Sequence, residues 1–519
     1  MKFTIFAYHF PKEAMKVRTL YISLILFLSS AGILFGQKAD SLLTLKKSKV
    51  EDAVMTLVSD PTFSEAVVGI CVTNGCGESL AEHNSRTMLV PASNMKLITT
   101  GAAIHTLGKE FRFETRLGYK GRIESGTLKG NLYIMGGGDP TLGSKDTIAT
   151  PLEQTFSQWK HLLEKEGIHK IEGHIIGDGR FFDGMPEEGS WVWEDIGTYF
   201  GTGSSALMFY ENMQSFAVSA GEIVGAPVNI TPHYPETPWM EFRYNCTTGE
   251  KGTGDKLYMY TSDLAPIAEI RGTFGVDKGR KLLNCSNKYA EYTCASHFTD
   301  WLKKKGITCT LGAGDTKFQT RWMANEPKDS LMIIGSTASP ELERIIYTTN
   351  HASNNLYAET LFRTIGKSLT GSASYESSSD AMVHTLKAMG LDTSKGLHIK
   401  DGSGLSRKNY VSADFFCRFL EAMMHSPVFE EYAESLPSPG GNGTLNYNMK
   451  GYPVELRSRI KVKSGSMNGV RCYSGYIIPR EGTKEETIIF SILTDNCTSP
   501  TWKVRQLLDK LMAALAEIN

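Results

Sequence analysis

The chain has 519 residues, too many for one ordinary core, so two or three domains are expected. Hydrophobic residues make up 41% and charged residues 21%, which is ordinary for a soluble globular protein. The net charge of -1 excludes the basic footprint of a nucleic-acid binder, and no acidic or basic tail is present.

At the N-terminus, Lys16 and Arg18 precede the apolar run Leu20-Tyr-Ile-Ser-Leu-Ile-Leu-Phe-Leu-Ser-Ser-Ala-Gly-Ile-Leu-Phe35, and polar sequence begins at Gln37. Positive residues, a short apolar core and then small residues describe a secretory signal over residues 1–36, with Gly36 as the expected cleavage point and Met15 as an alternative start. The rival reading is an uncleaved anchor, for which the run is barely long enough. Export to the periplasm follows from the signal. The nine cysteines fit that destination without fixing any bridge. Cys285 with Cys294, and Cys71 with Cys76, are candidate pairs whose connectivity sequence does not settle. The twelve histidines are scattered and neither C-x-x-C nor H-E-x-x-H occurs, so no metal site is expected.

Residues 38–58 read as helix, 65–73 and 86–90 as strands, and Met95 to Leu107 as a helix. From about Phe111 to Met332 the texture changes to short alternating strands broken by glycine turns, which predicts a β-rich stretch. Helical periodicity returns at 342–349 and 356–367. Strands follow at 460–463, 473–478 and 487–493. A last helix places Val504, Leu507, Leu508, Leu511, Leu515 and Ile518 on one face. Antiparallel strands beside helices predict an α+β catalytic domain.

Three elements carry chemistry. Ser93 and Lys96 in Pro91-Ala-Ser-Asn-Met-Lys96 are three apart at a helix start, which puts both on one face. A serine hydroxyl attacks only when a base takes its proton, and a lysine serves as base only when desolvation or nearby positive charge keeps it neutral. The bland alternative is a helix cap followed by a solvated lysine. In Ser353-Asn354-Asn355, Ser353 suits either a helix N-cap or a proton shuttle, with Asn355 binding a substrate amide and holding Lys96. Lys463-Ser-Gly-Ser466 lies at the end of an alternating strand. It reads either as a hairpin turn or as a carboxylate clamp by Lys463 and Ser464, with Gly465 letting the substrate backbone approach. Gly138-Asp-Pro-Thr-Leu-Gly-Ser-Lys145 nearly fits a P-loop, but its serine and lysine are in the wrong order to reach a phosphate.

In order and context, these elements form the S-x-x-K, S-x-N, K-[TS]-G set of penicillin-recognising enzymes. The long stretch between Ser93 and Ser353 resembles the class C low-molecular-mass penicillin-binding proteins, the penicillin-binding protein 4 type, from about residue 45 to the end of the chain. Further matches are Gly138-Asp-Pro-Thr141, Trp191-Val-Trp-Glu-Asp195, Asp401-Gly-Ser-Gly-Leu-Ser-Arg407 and Leu436-Pro437 followed by Gly443-Thr-Leu445. Two positions depart from the pattern: Asn354 replaces the frequent aspartate, and Ser464 the usual threonine.

The resemblance implies a penicillin-binding, β-lactamase-like transpeptidase domain made of residues 37–111 and 333–519, split by inserted β-rich domains at 112–332. It implies D-Ala-D-Ala carboxypeptidase or endopeptidase activity on peptidoglycan stem peptides through an acyl-enzyme on Ser93, with no cofactor and with β-lactams as inhibitors. The N–H groups of Ser93 and Ser466 are expected to form the oxyanion hole. Asp195 and Arg407 match the family's contacts to the diaminopimelate end of the peptide, and Phe200 is a weaker match. For Asp195 and Arg407, surface or structural pairing is the alternative. A secreted β-lactamase or esterase, and an inactive wall-binding protein, are the competing readings. Peripheral membrane contact is allowed, and oligomeric state is not readable.

Overall fold

The computed structural model describes residues 43–316 and 331–519. The apolar run of the expected signal lies outside them. Among the described residues, no helix is long and apolar enough to cross a membrane.

The two ends of the chain build one antiparallel sheet. Its order is Ile460–Met467, Val470–Ile477, Ile488–Asp495, Val67–Asn74 and Ser79–His83. Val67 pairs with Asp495 and Asn74 with Ile488, so the first strand is zipped to the last. Alternation sends neighbouring side chains to opposite faces. Ile70, Val72, Phe490 and Ile492 meet the helix over 43–58 and the C-terminal helix Thr501–Ile518 through Val50, Val54, Leu508 and Leu515. Cys71, Cys472, Ile489 and Leu493 face the other way. There they join a core with the helices Met95–Leu107, Asn355–Thr370, Tyr375–Ala388 and Ala413–Met424. Both faces of the three central strands are covered, which is why those strands are nearly continuously buried, whereas the edge strand Ser79–His83 is partly exposed and had no counterpart in the sequence reading. The helices at 375–388 and 413–424 had no counterpart in the sequence reading.

The insertion is not uniformly β. A seven-stranded sheet that includes Glu114–Glu124, Thr127–Met135 and Ile175–Asp178 carries two full helices, Leu152–Lys165 and Ala290–Lys304. Phe156, Trp159 and Leu163 recur at helical spacing and pack with Phe298 and Leu302. The glycine turns on either side hid that period. Two three-stranded sheets enclose a further core around Phe216, Ile270 and Phe274. The strand Met332–Ala338 pairs antiparallel with Glu114–Glu124, so it belongs with the inserted sheet. We therefore propose that the second catalytic segment begins after Ala338 and not at 333.

Two further expectations change. Residues 463–466 lie inside the strand Ile460–Met467, and the hairpin turn is Asn468-Gly469, a dipeptide suited to a two-residue loop. All nine cysteines are free thiols. Cys285 and Cys294 belong to different cores, and Cys71 is buried in the sheet while Cys76 is exposed, so neither candidate pair is bridged.

Candidate active site

Ser93 stands in a 3-10 turn, Ala92–Asn94, that feeds directly into the helix Met95–Leu107. Ala92 holds the left-handed conformation with φ 44°. A non-glycine residue there is strained, and such strain concentrates where side chains must be aimed. The turn is wedged from two sides. A Cβ on Gly465 would come within 2.5 Å of the Pro91 carbonyl oxygen, and one on Gly404 would collide with that of Ala92. Gly465 thus lets the strand lie against the turn bearing Ser93. This is a structural reason for the glycine beside the expected approach of the substrate backbone.

The structure brings the three sequence elements together. Lys96 is completely buried. Its Nζ donates to Ser93 Oγ at 3.0 Å, to Asn355 Oδ1 at 2.7 Å and to the Ser403 carbonyl at 2.7 Å. Three acceptors match the three donors of an ammonium, and the first becomes a donor once the lysine is neutral. Burial lowers the Lys96 pKa to about 7, with Glu359 and Asp401 pulling the other way. Lys463, equally buried, donates to Ser353 Oγ at 3.0 Å and to the Ser464 carbonyl at 2.8 Å. Burial, and then the nearby Lys96, hold its pKa well below the usual lysine value.

Ser353 is not the helix cap. Asn354 takes that position, its Oδ1 accepting from the Tyr357 N–H at 3.1 Å. Ser353 sits just outside with φ 55°, which leaves its hydroxyl for Lys463. Asn355 reaches two ways: its Oδ1 to Lys96, its Nδ2 to the Phe200 carbonyl at 2.9 Å.

Below these groups lie two buried carboxylates: Glu359, which the sequence reading did not mention, and Asp401, which it noted only as the start of a matching motif. Glu359, one turn after Asn355 on the same helix face, accepts the N–H groups of Gly402 and Ser403 at 3.1 and 2.7 Å. Asp401 accepts from Gly404 and Ser406 N–H groups, Asn409 Nδ2 and Trp191 Nε1. These bonds shape the loop whose Ser403 carbonyl holds Lys96. Burial, and then Asp401, push Glu359 up to about 8. Carboxylates at helical spacing and in a glycine-rich loop gave a faint signal, since only burial distinguishes them from surface residues.

Above the floor opens a cavity of about 600 Å³ lined by Ser93, Ser353, Asn355, Ser464, Ser466 and Phe200, among others. Asp195 and Arg407 are not among its lining residues. Asp195 is half-buried on the short helix Trp193–Ile196, its pKa raised by burial and by Glu194 and lowered by Arg407. Arg407 is exposed. The two lie within electrostatic reach of each other. Among the described residues, no cluster could hold a metal ion.

A serine beside a buried lysine of lowered pKa, at the start of a helix packed on a sheet that is covered on both faces, defines a class: a serine-type hydrolase of the penicillin-binding architecture. The profile of the D-Ala-D-Ala carboxypeptidase 3 (S13) family matches residues 50–515, and the chain belongs to that family. A D-alanyl-D-alanine carboxypeptidase from an Actinomadura species is 27% identical over 503 residues, 91% of this chain and 85% of the relative. The D-alanyl-D-alanine carboxypeptidase DacB of Haemophilus influenzae is 24% identical over 419 residues, 79% of this chain and 82% of its own length. The crystal structure of penicillin binding protein 4 from Haemophilus influenzae matches with a TM-score of 0.75 at 22% identity. It covers 89% of this chain and 98% of that one, which shows the shared fold. The chain is a serine-type D-Ala-D-Ala carboxypeptidase.

Proposed function

We propose that the enzyme cleaves the terminal D-Ala-D-Ala bond of peptidoglycan stem peptides through an acyl-enzyme on Ser93. The observation that carries this reading is the 3.0 Å contact between Ser93 Oγ and a wholly buried Lys96 whose pKa lies near neutrality. Neutral Lys96 takes the proton of Ser93 as the hydroxyl attacks the carbonyl of the penultimate D-Ala, a general-base contribution of about 10²–10⁴-fold. The N–H groups of Ser93 and Ser466 receive the developing oxyanion. The Ser353 hydroxyl, bonded to Lys463, relays a proton to the leaving amine. Lys463 and Ser464 hold the terminal carboxylate, and Asn355 steadies Lys96 and the substrate amide. Water then releases the acyl group by the same route in reverse.

A β-lactam acylates Ser93 and stays, because its leaving amine remains tethered. In support, a solved Haemophilus influenzae relative of the same fold is described as complexed with a β-lactam. Asp195 and Arg407 are proposed to read the diaminopimelate end of the peptide, with Phe200 forming the adjoining wall. Export by the N-terminal signal brings the enzyme to this substrate, and no step calls for a cofactor. Digestion of purified muropeptides followed by mass spectrometry tests the reading. Free D-Ala is the expected product, and monomers released from cross-linked dimers would add endopeptidase action. Rapid turnover of nitrocefin with no D-Ala released would replace the reading with a β-lactamase.

A further inference from the structure

Glu211 belongs to the insertion, far in sequence from all three catalytic elements, yet it lines the cavity together with Ser93 and Ser353. Its carboxylate has two partners on opposite sides. Ser144 Oγ, also from the insertion, donates to Oε1 at 2.7 Å, and Asn354 Nδ2 donates to Oε2 at 2.8 Å. Tyr357 closes the circuit: its hydroxyl donates to Ser144 Oγ at 3.4 Å, and its N–H is capped by Asn354.

The backbone around Glu211 is unusual. Tyr210, Glu211 and Asn212 are all left-handed, with φ 54°, 55° and 51°. None is glycine, so the turn persists only because its surroundings hold it. The holding bonds run from the Tyr210 N–H to the Leu142 carbonyl, from the Phe209 N–H to Asn212 Oδ1 and from Asn212 Nδ2 to the Gly203 carbonyl. Across the gap, Ser353 is left-handed too. Two strained turns, one from the insertion and one from the catalytic segment, therefore meet through one charge-assisted hydrogen bond.

We propose that Glu211 is a positioning residue that braces the Ser353-Asn354-Asn355 turn from the insertion, and that Asn354 is matched to it. The pairing accounts for the S-N-N departure: a carboxylate at 211 needs a donor at 354, which asparagine supplies and aspartate does not. An aspartate at position 354 would set two carboxylates against each other and push the turn away from Lys463. The proposal rests on the reading that Ser353 and Asn355 serve the reaction.

The test is a set of variants compared by their acylation rate constant with fluorescent penicillin, by the non-covalent binding constant that precedes acylation and by thermal melting. Glu211→Ala and Asn354→Asp are each expected to slow acylation about ten- to a hundredfold, with binding little changed. Glu211→Gln keeps an acceptor for Asn354 and stays within about threefold of wild type. The decisive variant combines Glu211→Gln with Asn354→Asp, so that the introduced amide donates to the introduced carboxylate. It recovers most of the rate lost by Asn354→Asp alone, which a merely stabilising contact at either site does not produce. If Asn354→Asp fails to fold, Glu211→Ala decides. Wild-type acylation in Glu211→Ala, or no recovery in the double variant, overturns the brace. Wild-type acylation in Ser353→Ala or Asn355→Ala overturns the underlying reading instead.

Discussion

Lys96 and Lys463 are both 0% exposed, whereas Arg407 stands in solvent and Asp195 is only half-buried. On the floor of the cavity the buried charged groups are tied to partners from distant segments: Lys96 to Asn355 and Ser403, Lys463 to Ser353, Glu359 to the 402–403 backbone. Outside the cavity lining, Asp195 and Arg407 influence each other without a direct ion pair. A buried amine has its titration set by geometry, because desolvation disfavours its charge and only fixed partners restore it. A charge open to solvent is screened by water, and its pairing contributes about 0–1 kcal/mol. On the proposed reading, the floor determines whether chemistry occurs at all, and the Asp195–Arg407 pair adjusts which peptide is preferred.

If that division holds, substitutions should rank by depth. Ser93→Ala is the most damaging: labelling by fluorescent penicillin falls by at least about 10⁴-fold while the melting curve is preserved. Labelling at the wild-type level would remove Ser93 as nucleophile. Next comes Lys96→Arg, which keeps the charge but cannot give up its proton, so acylation drops about 10²–10⁴-fold. Acylation as fast as wild type would make Lys96 a structural cation only. The same lysine sets a pH limb. Its base form is the neutral one, so acylation rises with pH through about 7, falls roughly tenfold per unit below that, and levels off above. A flat profile from pH 5 to 8 would contradict this.

Lys463→Ala probes the floor beside Ser464, which lines the cavity. Turnover of peptides ending in a free carboxylate should fall about ten- to a hundredfold more than turnover of a neutral thioester. Equal losses on both substrates mean the carboxylate contact is misassigned. Asp195→Ala is the mildest. It lowers kcat/KM on peptides with a free diaminopimelate amine by less than about tenfold and spares simple penicillins, which lack that amine. Parallel losses in both reactions, with a lower melting temperature, would show that Asp195 has only a structural role.

The same contrast explains what the sequence disclosed. The central strands of the sheet were legible because they are covered on both faces, and the last helix because Val504, Leu508, Leu511 and Leu515 keep one stripe, whereas the partly exposed edge strand Ser79–His83 was missed and 86–90 was expected as strand instead. The helix around Phe156 and Trp159 was lost among glycine turns, since its stripe is short and faces a sheet that long-range pairing assembles. Within the site, Ser93, Lys96, Ser353, Asn355 and Lys463 carry spacing that marks them, and the fold brings all five together. Glu359 and Glu211 carry none, and Asp401 was marked only as the start of a matching motif, with no role attached. Their roles come from burial and from partners far away in the chain, which no local pattern encodes. Gly465 shows the converse limit: its residue type was read as meaningful, but the neighbour that requires it, the Pro91 carbonyl, is visible only in three dimensions.

The central claim is that one serine, activated by a neutral buried lysine, forms the acyl-enzyme. Peptide mapping by mass spectrometry after brief exposure to benzylpenicillin tests it most directly. The account predicts a single penicilloyl adduct on the peptide containing Ser93, formed at pH 8 and sharply reduced at pH 5. An adduct on any other residue, or steady hydrolysis of the drug with no adduct at either pH, would contradict it.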